Sequence, residues 1–321
     1  MPKSAPTPEQ LETQRRLRAV HLAIGVSLLV CLVELSLGWI LGLASLVAEG
    51  VHTFLDGLDS VIVLIAVILA ARPPDRSHQF GHGKFEALGA AVEGSFVMAA
   101  AIGIAYQSMD RLIHHQTPPV IPSYVCLIMS ITAVFYFFVS MHLMRVARET
   151  QSPAVLAEAL HLRTHIYIAA GIAAGLLVGA LGDWPVADTL VALGVAVCLM
   201  GISLHIFRDV YKQFMDEALS AEEIKKLGSI IDRFGHRFVE VHGLRTRQAG
   251  AERHVEMHLV VMPDTPVSKA HALSHEIEAA IADAWPTTRV TVHVEPLDTA
   301  RAARADWFTD QPKVRTNDAS P

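Results

Sequence analysis

Two pairs of residues with metal-binding side chains stand four positions apart within long apolar stretches. His52 and Asp56 lie in VAEGVHTFLDGLDS, and His161 and His165 lie in EALHLRTHIYIAAG. Residues four apart project from one face of an α-helix. If the two helices face each other, they gather three imidazoles and one carboxylate, which is a tetrahedral ligand set for zinc or a similar first-row transition metal.

A simpler interpretation applies to any one of these residues, because a single histidine in a membrane helix commonly forms only an interhelical hydrogen bond. It explains two matched pairs poorly, since an ionisable side chain in mid-membrane is costly unless it is paired or coordinated. We therefore interpret the pairs as an ion pathway. Asp59 stays unassigned, and four isolated polar residues are interpreted as packing or hydrogen-bonding residues: Glu34, Glu93, His142 and His205.

The polar segment between the second and third apolar stretches, ARPPDRSHQFGHGKFEA, holds a second group of such residues. Pro73 and Pro74 end the preceding helix, and Asp75, His78 and His82 follow in a short glycine-containing loop. These residue types could form a second metal site. A solvated polar loop without a metal is the alternative, and the residues alone leave both interpretations open.

The overall composition is that of a membrane protein. Of the 321 residues, 52% are hydrophobic and 18% are charged, and the mean hydropathy is +0.37, which is high for a soluble domain. Six stretches are long enough to cross a bilayer as helices, which takes about 20 residues each: 19–42, 45–71, 86–112, 121–146, 154–180 and 185–207. Basic residues concentrate in the loops on one side, which predicts that both termini are cytoplasmic.

These stretches divide the chain into four predicted segments: a disordered N-terminal tail at 1–15, a six-span transmembrane domain at 16–210, a cytoplasmic metal-binding domain at 211–298 and a disordered C-terminal tail at 299–321. The formal net charge is −6, and the soluble part contains no basic run and no interleaving of aromatic and basic residues. The charge pattern therefore argues against a nucleic-acid partner.

The cytoplasmic domain is predicted to have the order αββαβ, a ferredoxin-like layer of helices on an antiparallel sheet. The expected elements are a helix at 220–234, strands at 238–248 and 252–261, a helix at 266–284 and a strand at 288–296. Residues on alternate positions of a strand share a face, so His258, His293 and Glu295 can share the open face of the sheet. His242 and His271 lie close to the same elements. Scattered surface histidines are the alternative interpretation, but this density of histidines favours a third metal site.

With these residues assembled, the chain resembles the cation diffusion facilitator family, and within it the bacterial zinc and iron efflux branch. The resemblance runs from about Leu17 to Pro296 and is carried by SLVAEGVHTFLDGLDS, RPPDRSHQFGHGKFEALGA, ALHLRTH and HGLRTRQAG. It implies an all-α bundle of six membrane helices with a cytoplasmic α+β domain. It further implies a homodimer in the inner (plasma) membrane that exchanges a cytoplasmic divalent cation for protons. Zinc is the expected cation, with cobalt, nickel or ferrous iron as alternatives.

The resemblance also implies roles for individual residues. The transport site falls on His52, Asp56, His161 and His165, and the loop site on Asp75, His78 and His82. The tail sites, where the metal would act as a regulatory ligand, fall on His242, His258, His271, His293 and Glu295. A charge interlock between the two domains falls on Lys84 and Asp216. The chain departs from the family at His165, where an aspartate is usual, and this departure bears on which metal is carried.

Two functions of other classes compete with transport. An intramembrane metalloenzyme could also hold a metal between histidine pairs, but it needs a general base or an open coordination position beside the metal. No HExxH motif occurs, and Arg163 and Thr164 lie in the gap between His161 and His165. A membrane metal sensor would explain the cytoplasmic histidines but gives no reason for a complete ligand set in the bundle. The sequence therefore favours a transporter.

Overall fold

The computed structural model describes residues 7–42, 44–114, 123–182, 186–297 and 315–316. The chain divides into two compact units, one formed by Gln10–Lys212 and the other by Met1–Glu9 together with Gln213–Pro321. We refer to them as the helical unit and the tail unit and describe each by itself.

The helical unit contains six long helices at the positions of the six predicted spans. They are α1 (Pro8–Leu41), α2 (Ala44–Ala70), α3 (Lys84–Ile113), α4 (Ser123–Thr150), α5 (Pro153–Gly182) and α6 (Ala187–Phe214). Among the described residues, five of them are both long and apolar enough to cross a membrane. The helix outside that set is α5, which is 30 residues long and carries one glutamate, one arginine and two histidines in its first half: Glu158, Arg163, His161 and His165.

The first helix begins earlier than the sequence predicted. Residues 1–15 were expected to be disordered, yet α1 starts at Pro8 and has Glu9 in its first turn. A proline fits the first position of a helix because its fixed φ matches the helix and its missing N–H is not needed there. An acidic residue in the first turn interacts favourably with the helix dipole. The helix therefore extends through a segment that has no apolar pattern of its own.

Small residues allow the helices of this unit to pack closely. A Cβ atom added at Gly89 of α3 would lie 2.5 Å from the Cβ of Ala66 on α2, so this approach of the two helices requires glycine.

The Ser140 hydroxyl of α4 donates a hydrogen bond of 2.8 Å to the carbonyl of Ala159 on α5. A buried polar contact joins three elements, since Glu86 of α3 binds both Arg16 of α1 and Ser152 just before α5. These contacts fix α5 against α3 and α4.

The tail unit has the predicted order αββαβ. It consists of α7 (Ala221–Ile231) followed by a 3₁₀ turn, then β1 (Glu240–Ala249), β2 (Glu252–Val261), α8 (Val267–Ala284) and β3 (Thr288–Pro296). The strand order is β3-β2-β1-β4, where β4 is the two-residue strand Arg315–Thr316. This short strand falls within the tail predicted to be disordered at 299–321, of which the other residues lie outside the described chain.

The sheet of the tail unit is mixed, so the prediction of an antiparallel sheet was wrong for one strand pair. β1 and β2 are antiparallel, but β2 and β3 are parallel. The reason is the connection, because β2 reaches β3 through the crossover helix α8, and a helical crossover returns the chain in the same direction. As the alternation predicted, Val255, Met257 and Leu259 of β2 are buried in the core with α7 and α8. The opposite face of the sheet is left to polar residues.

Candidate metal centres

Three groups of metal-binding side chains form in the described part of the chain, each with its ligand atoms within 4.8 Å of one another. They are Asp56, His161 and His165; Asp75, His78 and His82; and His242, His258 and Glu295. We call them the helix cluster, the loop cluster and the tail cluster, and we count His52 with the first and His293 with the third. Each member had been predicted as a metal ligand.

The helix cluster is organised around the carboxylate of Asp56. Its oxygens lie 3.8 Å from Nε2 of His161, 3.5 Å from Nε2 of His165 and 3.7 Å from Nε2 of His52. Two ligand atoms that each lie about 2.1 Å from a tetrahedral metal are about 3.4 Å apart. The distances from Asp56 match this spacing, and the ligand atoms of Asp56, His161 and His165 also lie within 4.8 Å of one another, whereas His52 is not in that group. His52 lies at the edge of the cluster, because its side chain is 55% exposed whereas that of Asp56 is 12% exposed.

Two cavities border the helix cluster and share His52, His165 and Ile168 in their walls. One, of about 320 Å³, is also lined by Asp56, His161 and the unassigned Asp59. The other, of about 270 Å³, is also lined by Glu34, Glu49, Thr53 and Tyr136. Polar side chains therefore line both cavities, and an ion in either cavity would meet His52 and His165.

The sequence did not connect Glu93 with this cluster. Glu93 is on α3, and its Oε1 contacts Nδ1 of His161, the ring nitrogen that faces away from Asp56. Only 1% of the Glu93 side chain is exposed. Spacing rules act within one helix, so they could not pair α3 with α5. The available signal was a buried acid in an apolar helix, which requires a partner from another element.

The structure gives contacts for two of the other isolated polar residues, and only Glu34 forms the expected hydrogen bond. Glu34 accepts a hydrogen bond of 2.7 Å from the hydroxyl of Thr53. His205 lies 3.6 Å from Asp209 one turn later on α6, and its side chain is 61% exposed. His205 and Asp209 therefore repeat the spacing of His52 and Asp56 without belonging to any of the three clusters.

The loop cluster brings together all three of its predicted residues. Asp75 lies 3.5 Å from Nδ1 of His78 and 3.4 Å from Nε2 of His82. The same carboxylate accepts hydrogen bonds from the backbone N–H groups of His78 and Ser77 and from the Ser77 hydroxyl. These hydrogen bonds, the one from His78 first, hold the pKa of Asp75 well below its usual range. The loop thus presents a carboxylate that stays ionised at neutral pH.

The tail cluster is a row of histidines across three strands with Glu295 beside it. His242 of β1 is opposite His258 of β2, which is opposite His293 of β3. Glu295 lies 2.8 Å from Nδ1 of His258, 3.5 Å from Nε2 of His242 and 3.6 Å from Nε2 of His293. Burial lowers the pKa of His242, which favours the neutral imidazole that binds metal.

A glycine next to the tail cluster leaves room for the ring of His258. Gly243 has a φ of +61°, and a Cβ atom added there would lie 3.2 Å from the ring of His258. It stands where the register between β1 and β2 shifts, between His242 and Arg245. A residue with a side chain would be strained at this φ and would press on the His258 ring. The irregular register is therefore part of the site.

His271 is not brought into the tail cluster within one chain. It lies on α8, where its Nε2 is 3.1 Å from Nε2 of His275, and His275 in turn contacts Glu278 at 2.9 Å. The apolar face of the sheet packs on α8, whereas the histidine row lies on the other face. The sequence predicted that His271 lies close to the histidine row, but it did not show that the sheet lies between them.

The predicted charge interlock joins residues of the two units and stays a prediction. Lys84 is the first residue of α3. Asp216 belongs to the tail unit, where its carboxylate is 3.1 Å from the guanidinium of Arg247. Asp216 has a φ of +53°, which an aspartate tolerates better than most residues.

Comparison with known families decides the class of protein. A model of the cation efflux transmembrane domain matches residues 20–215, and a model of the cytoplasmic domain of cation efflux proteins matches residues 219–297. The chain belongs to the cation efflux family. The expected resemblance is thereby confirmed, as is the fold of a helical membrane domain followed by an α+β domain. Members of the cation efflux family are transporters, so the metalloenzyme interpretation does not apply to this chain.

Relatives in this family match nearly the whole chain. The cation-efflux pump FieF of Shigella boydii is 30% identical over 280 residues, which cover 87% of this chain and 92% of that protein. The FieF protein of Klebsiella pneumoniae is 29% identical over 293 residues, covering 91% and 96%. An uncharacterised transporter of Synechocystis is 29% identical over 277 residues, covering 86% and 89%. The chain therefore lies in the bacterial branch that contains FieF.

Two similar solved structures each cover about a quarter of this chain. A structure of CzrB in its zinc form is 45% identical and covers 26% of this chain and 94% of that one, with a TM-score of 0.25. The metal-bound C-terminal domain of the CzcD transporter from Thermotoga maritima is 26% identical and covers 25% and 95%, with a TM-score of 0.23.

Proposed function

We propose that this chain exports a divalent transition-metal cation from the cytoplasm in exchange for protons, with zinc as its first substrate. The observation that carries the proposal is the helix cluster, in which the Asp56 carboxylate faces three imidazoles at 3.5 to 3.8 Å. Ionisable groups gathered inside apolar helices mark ion pathways. In this proposal His52, Asp56, His161 and His165 bind the transported ion.

The ligand types favour some metals over others. Three imidazole nitrogens and one carboxylate suit zinc, cobalt, nickel or ferrous iron, whereas manganese, magnesium and calcium favour oxygen ligands. Zinc accepts a tetrahedral set of four ligands without any cost from d-electron geometry. Cobalt, nickel and ferrous iron remain alternatives, because affinity order alone does not select among metals that bind the same ligands.

Protons compete with the metal for the same side chains. An imidazole must be neutral to bind a metal, and free histidine titrates near pH 6.5. The inward-facing state would take the cation from the cytoplasm, and protonation of the imidazoles in the outward-facing state would release it. The two cavities that share His52 and His165 offer space next to the cluster. Exchange of metal for protons at one site is the proposed coupling.

The remaining assignments concern the assembly. We propose a homodimer in the inner membrane with both termini in the cytoplasm, as the basic loops predict. The loop cluster and the tail cluster would bind cytoplasmic metal, and the tail cluster would act as a regulatory site. The family resemblance implies that His271, which is outside the tail cluster of its own chain, also binds this regulatory metal. The Lys84–Asp216 interlock would couple the two units.

Reconstitution into liposomes tests the proposal. We expect Zn²⁺ to enter liposomes with an acidic lumen faster than liposomes without a proton gradient, and Mn²⁺ to enter poorly. Co²⁺, Ni²⁺ and Fe²⁺ are measured one at a time in the same way. His52→Ala should abolish most of the uptake. The matched control is His205→Ala, since His205 has the same spacing to an aspartate but lies outside the clusters. Binding of metal without flux of any ion would overturn the proposal in favour of a sensor.

A further inference from the structure

We propose that Glu93 is the second carboxylate of the transport site: it positions His161 and supplies the negative charge that the four ligands lack. This inference rests on the proposed function, because it assigns Glu93 to the site at which the exported cation would bind. Glu93 itself is not placed among the metal ligands. It acts through the imidazole of His161.

The geometry of His161 supports a positioning role. Its Nδ1 contacts Glu93, and its Nε2 faces Asp56 at 3.8 Å. A carboxylate that accepts the proton of one ring nitrogen leaves the lone pair on the other nitrogen. Histidine ligands of metals are commonly held in this way by a carboxylate. With Glu93 on one side, the ring presents its metal-binding nitrogen to the centre of the helix cluster.

The charge of the helix cluster gives Glu93 a second role. A dication bound by three neutral imidazoles and by Asp56 keeps a net charge of about +1. The carboxylate of Glu93, separated from the ion only by the His161 ring, brings the sum to about zero. An uncompensated charge is costly among buried helices. The family's usual aspartate at position 165 would place this second carboxylate directly on the metal, whereas here His165 occupies the position.

The fold holds Glu93 in place from several sides. Gly89, one turn earlier on α3, permits the close contact with Ala66 of α2. The carbonyl of Gly94, the next residue after Glu93, accepts a hydrogen bond of 2.7 Å from Ser203 of α6. Glu158, another buried acid near the cluster, is held separately by the Ser60 hydroxyl at 2.7 Å. Glu93 is thus fixed by α2 and α6 while it reaches the imidazole on α5.

Zinc flux into liposomes measures this role through the KM for Zn²⁺. Glu93→Gln preserves the size of the side chain and removes its charge. We expect it to raise the KM by about 10- to 100-fold, the range found when a carboxylate behind a histidine ligand is removed. Glu158→Gln is the matched control: it removes a buried charge that acts on His161 only through space and leaves the contact between Glu93 and His161 intact, so its KM should rise less than that of Glu93→Gln.

The decisive variant combines Glu93→Gln with His165→Asp. It returns a second carboxylate to the site, so we expect its KM to fall back toward the wild-type value. A role in folding alone predicts no such rescue. The inference is rejected if Glu93→Gln has the wild-type KM, or if the double variant is no better than Glu93→Gln. Either result leaves the proposed function standing when the wild type transports zinc, whereas a wild type without flux of any ion rejects the proposed function itself.

A second variant covers the case in which Glu93→Gln does not fold. Glu93→Asp keeps the buried charge but withdraws the carboxylate from Nδ1 of His161 by one methylene. We expect a smaller rise in the KM, of about threefold to tenfold, because only the positioning is lost. A wild-type KM for Glu93→Asp would reject the positioning role.

Discussion

The helix cluster and the tail cluster use the same chemistry on different scaffolds. In each, three histidines surround one carboxylate: Asp56 lies 3.5 to 3.8 Å from its imidazoles, and Glu295 lies 2.8 to 3.6 Å from its own. The helix cluster depends on two helices that each carry a pair of residues one turn apart. The tail cluster depends on the register of three strands. The same set of residue types is thus brought together by helix packing in one cluster and by strand pairing in the other.

Most of the histidines differ in exposure between the two clusters, although His52 of the helix cluster is 55% exposed and His242 of the tail cluster is 19% exposed. In the helix cluster the side chains of His161 and His165 are 9% and 15% exposed. In the tail cluster His258 and His293 are 40% and 66% exposed. Water can solvate the excess charge of a metal bound on the open sheet, whereas the helical bundle must balance that charge with its own side chains. This difference explains why a buried carboxylate, Glu93, backs the helix cluster.

The largest effect is expected from removing the carboxylate at the centre of the helix cluster. Asp56→Asn deletes the one anionic ligand that faces all three imidazoles. Zinc transport should fall by more than the roughly 10- to 100-fold typical of losing a carboxylate behind a histidine ligand. Zinc uptake into liposomes is the measurement. Transport at the wild-type rate would mean that the helix cluster is not the transport site.

The corresponding change in the tail cluster should have a smaller effect on transport. Glu295→Gln removes the carboxylate beside the histidine row but leaves the helix cluster untouched. We expect zinc uptake to continue, with its dependence on zinc concentration altered, and we expect the isolated tail unit to lose its response to zinc in small-angle scattering. The wild-type tail unit should become more compact with zinc. Identical scattering of the wild type with and without zinc would contradict the regulatory role.

The same contrast shows how far the sequence could predict each cluster. The pairs His52–Asp56 and His161–His165 follow from spacing within a helix, and the alternation in β2 and β3 placed His258, His293 and Glu295 on one face. Spacing within an element cannot say which elements touch. For that reason Glu93 on α3 escaped notice, and so did the separation of His271 on α8 from the histidine row by the sheet.

The differences in the fold have equally local causes. The order αββαβ follows from the alternating and helical patterns, but the direction of β3 depends on the path through α8, which the patterns do not encode. The early start of α1 reflects the helix-forming residues that follow Pro8. The glycine at 243 could be recognised as a turn residue from the sequence. Its contact with His258 required the register between β1 and β2.

The smallest expected effect concerns the tail unit at acid pH, where we expect the metal to be released at a higher pH than that at which the unit unfolds. Burial alone would raise the pKa of Glu223, but hydrogen bonds from Ser220 and Arg253 outweigh it and hold the pKa below the ordinary 4.5. A group with a lowered pKa stabilises the fold above its unfolded-state pKa, and this stabilisation is lost as the pH falls through its folded-state value. An imidazole must be neutral to bind a metal, and free histidine titrates near pH 6.5, so metal release should precede unfolding.

Glu223→Gln tests this order. It should lower the free energy of unfolding of the metal-free tail unit by about 1 to 2 kcal/mol at pH 7, since hydrogen bonds to a charged group are lost. The difference from the wild type should shrink as the pH falls below the unfolded-state pKa of about 4.5, and it should be lost once the pH falls through the lower folded-state pKa. Urea denaturation followed by circular dichroism at several pH values gives both quantities. Glu276→Gln is the control, because Glu276 also binds an arginine, Arg237, but at the surface, where such a pair contributes little. If the difference in the free energy of unfolding stays constant from pH 7 to below 4.5, Glu223 acts through its shape and not its charge. The acid sensitivity of the tail cluster would then have to arise from its histidines alone.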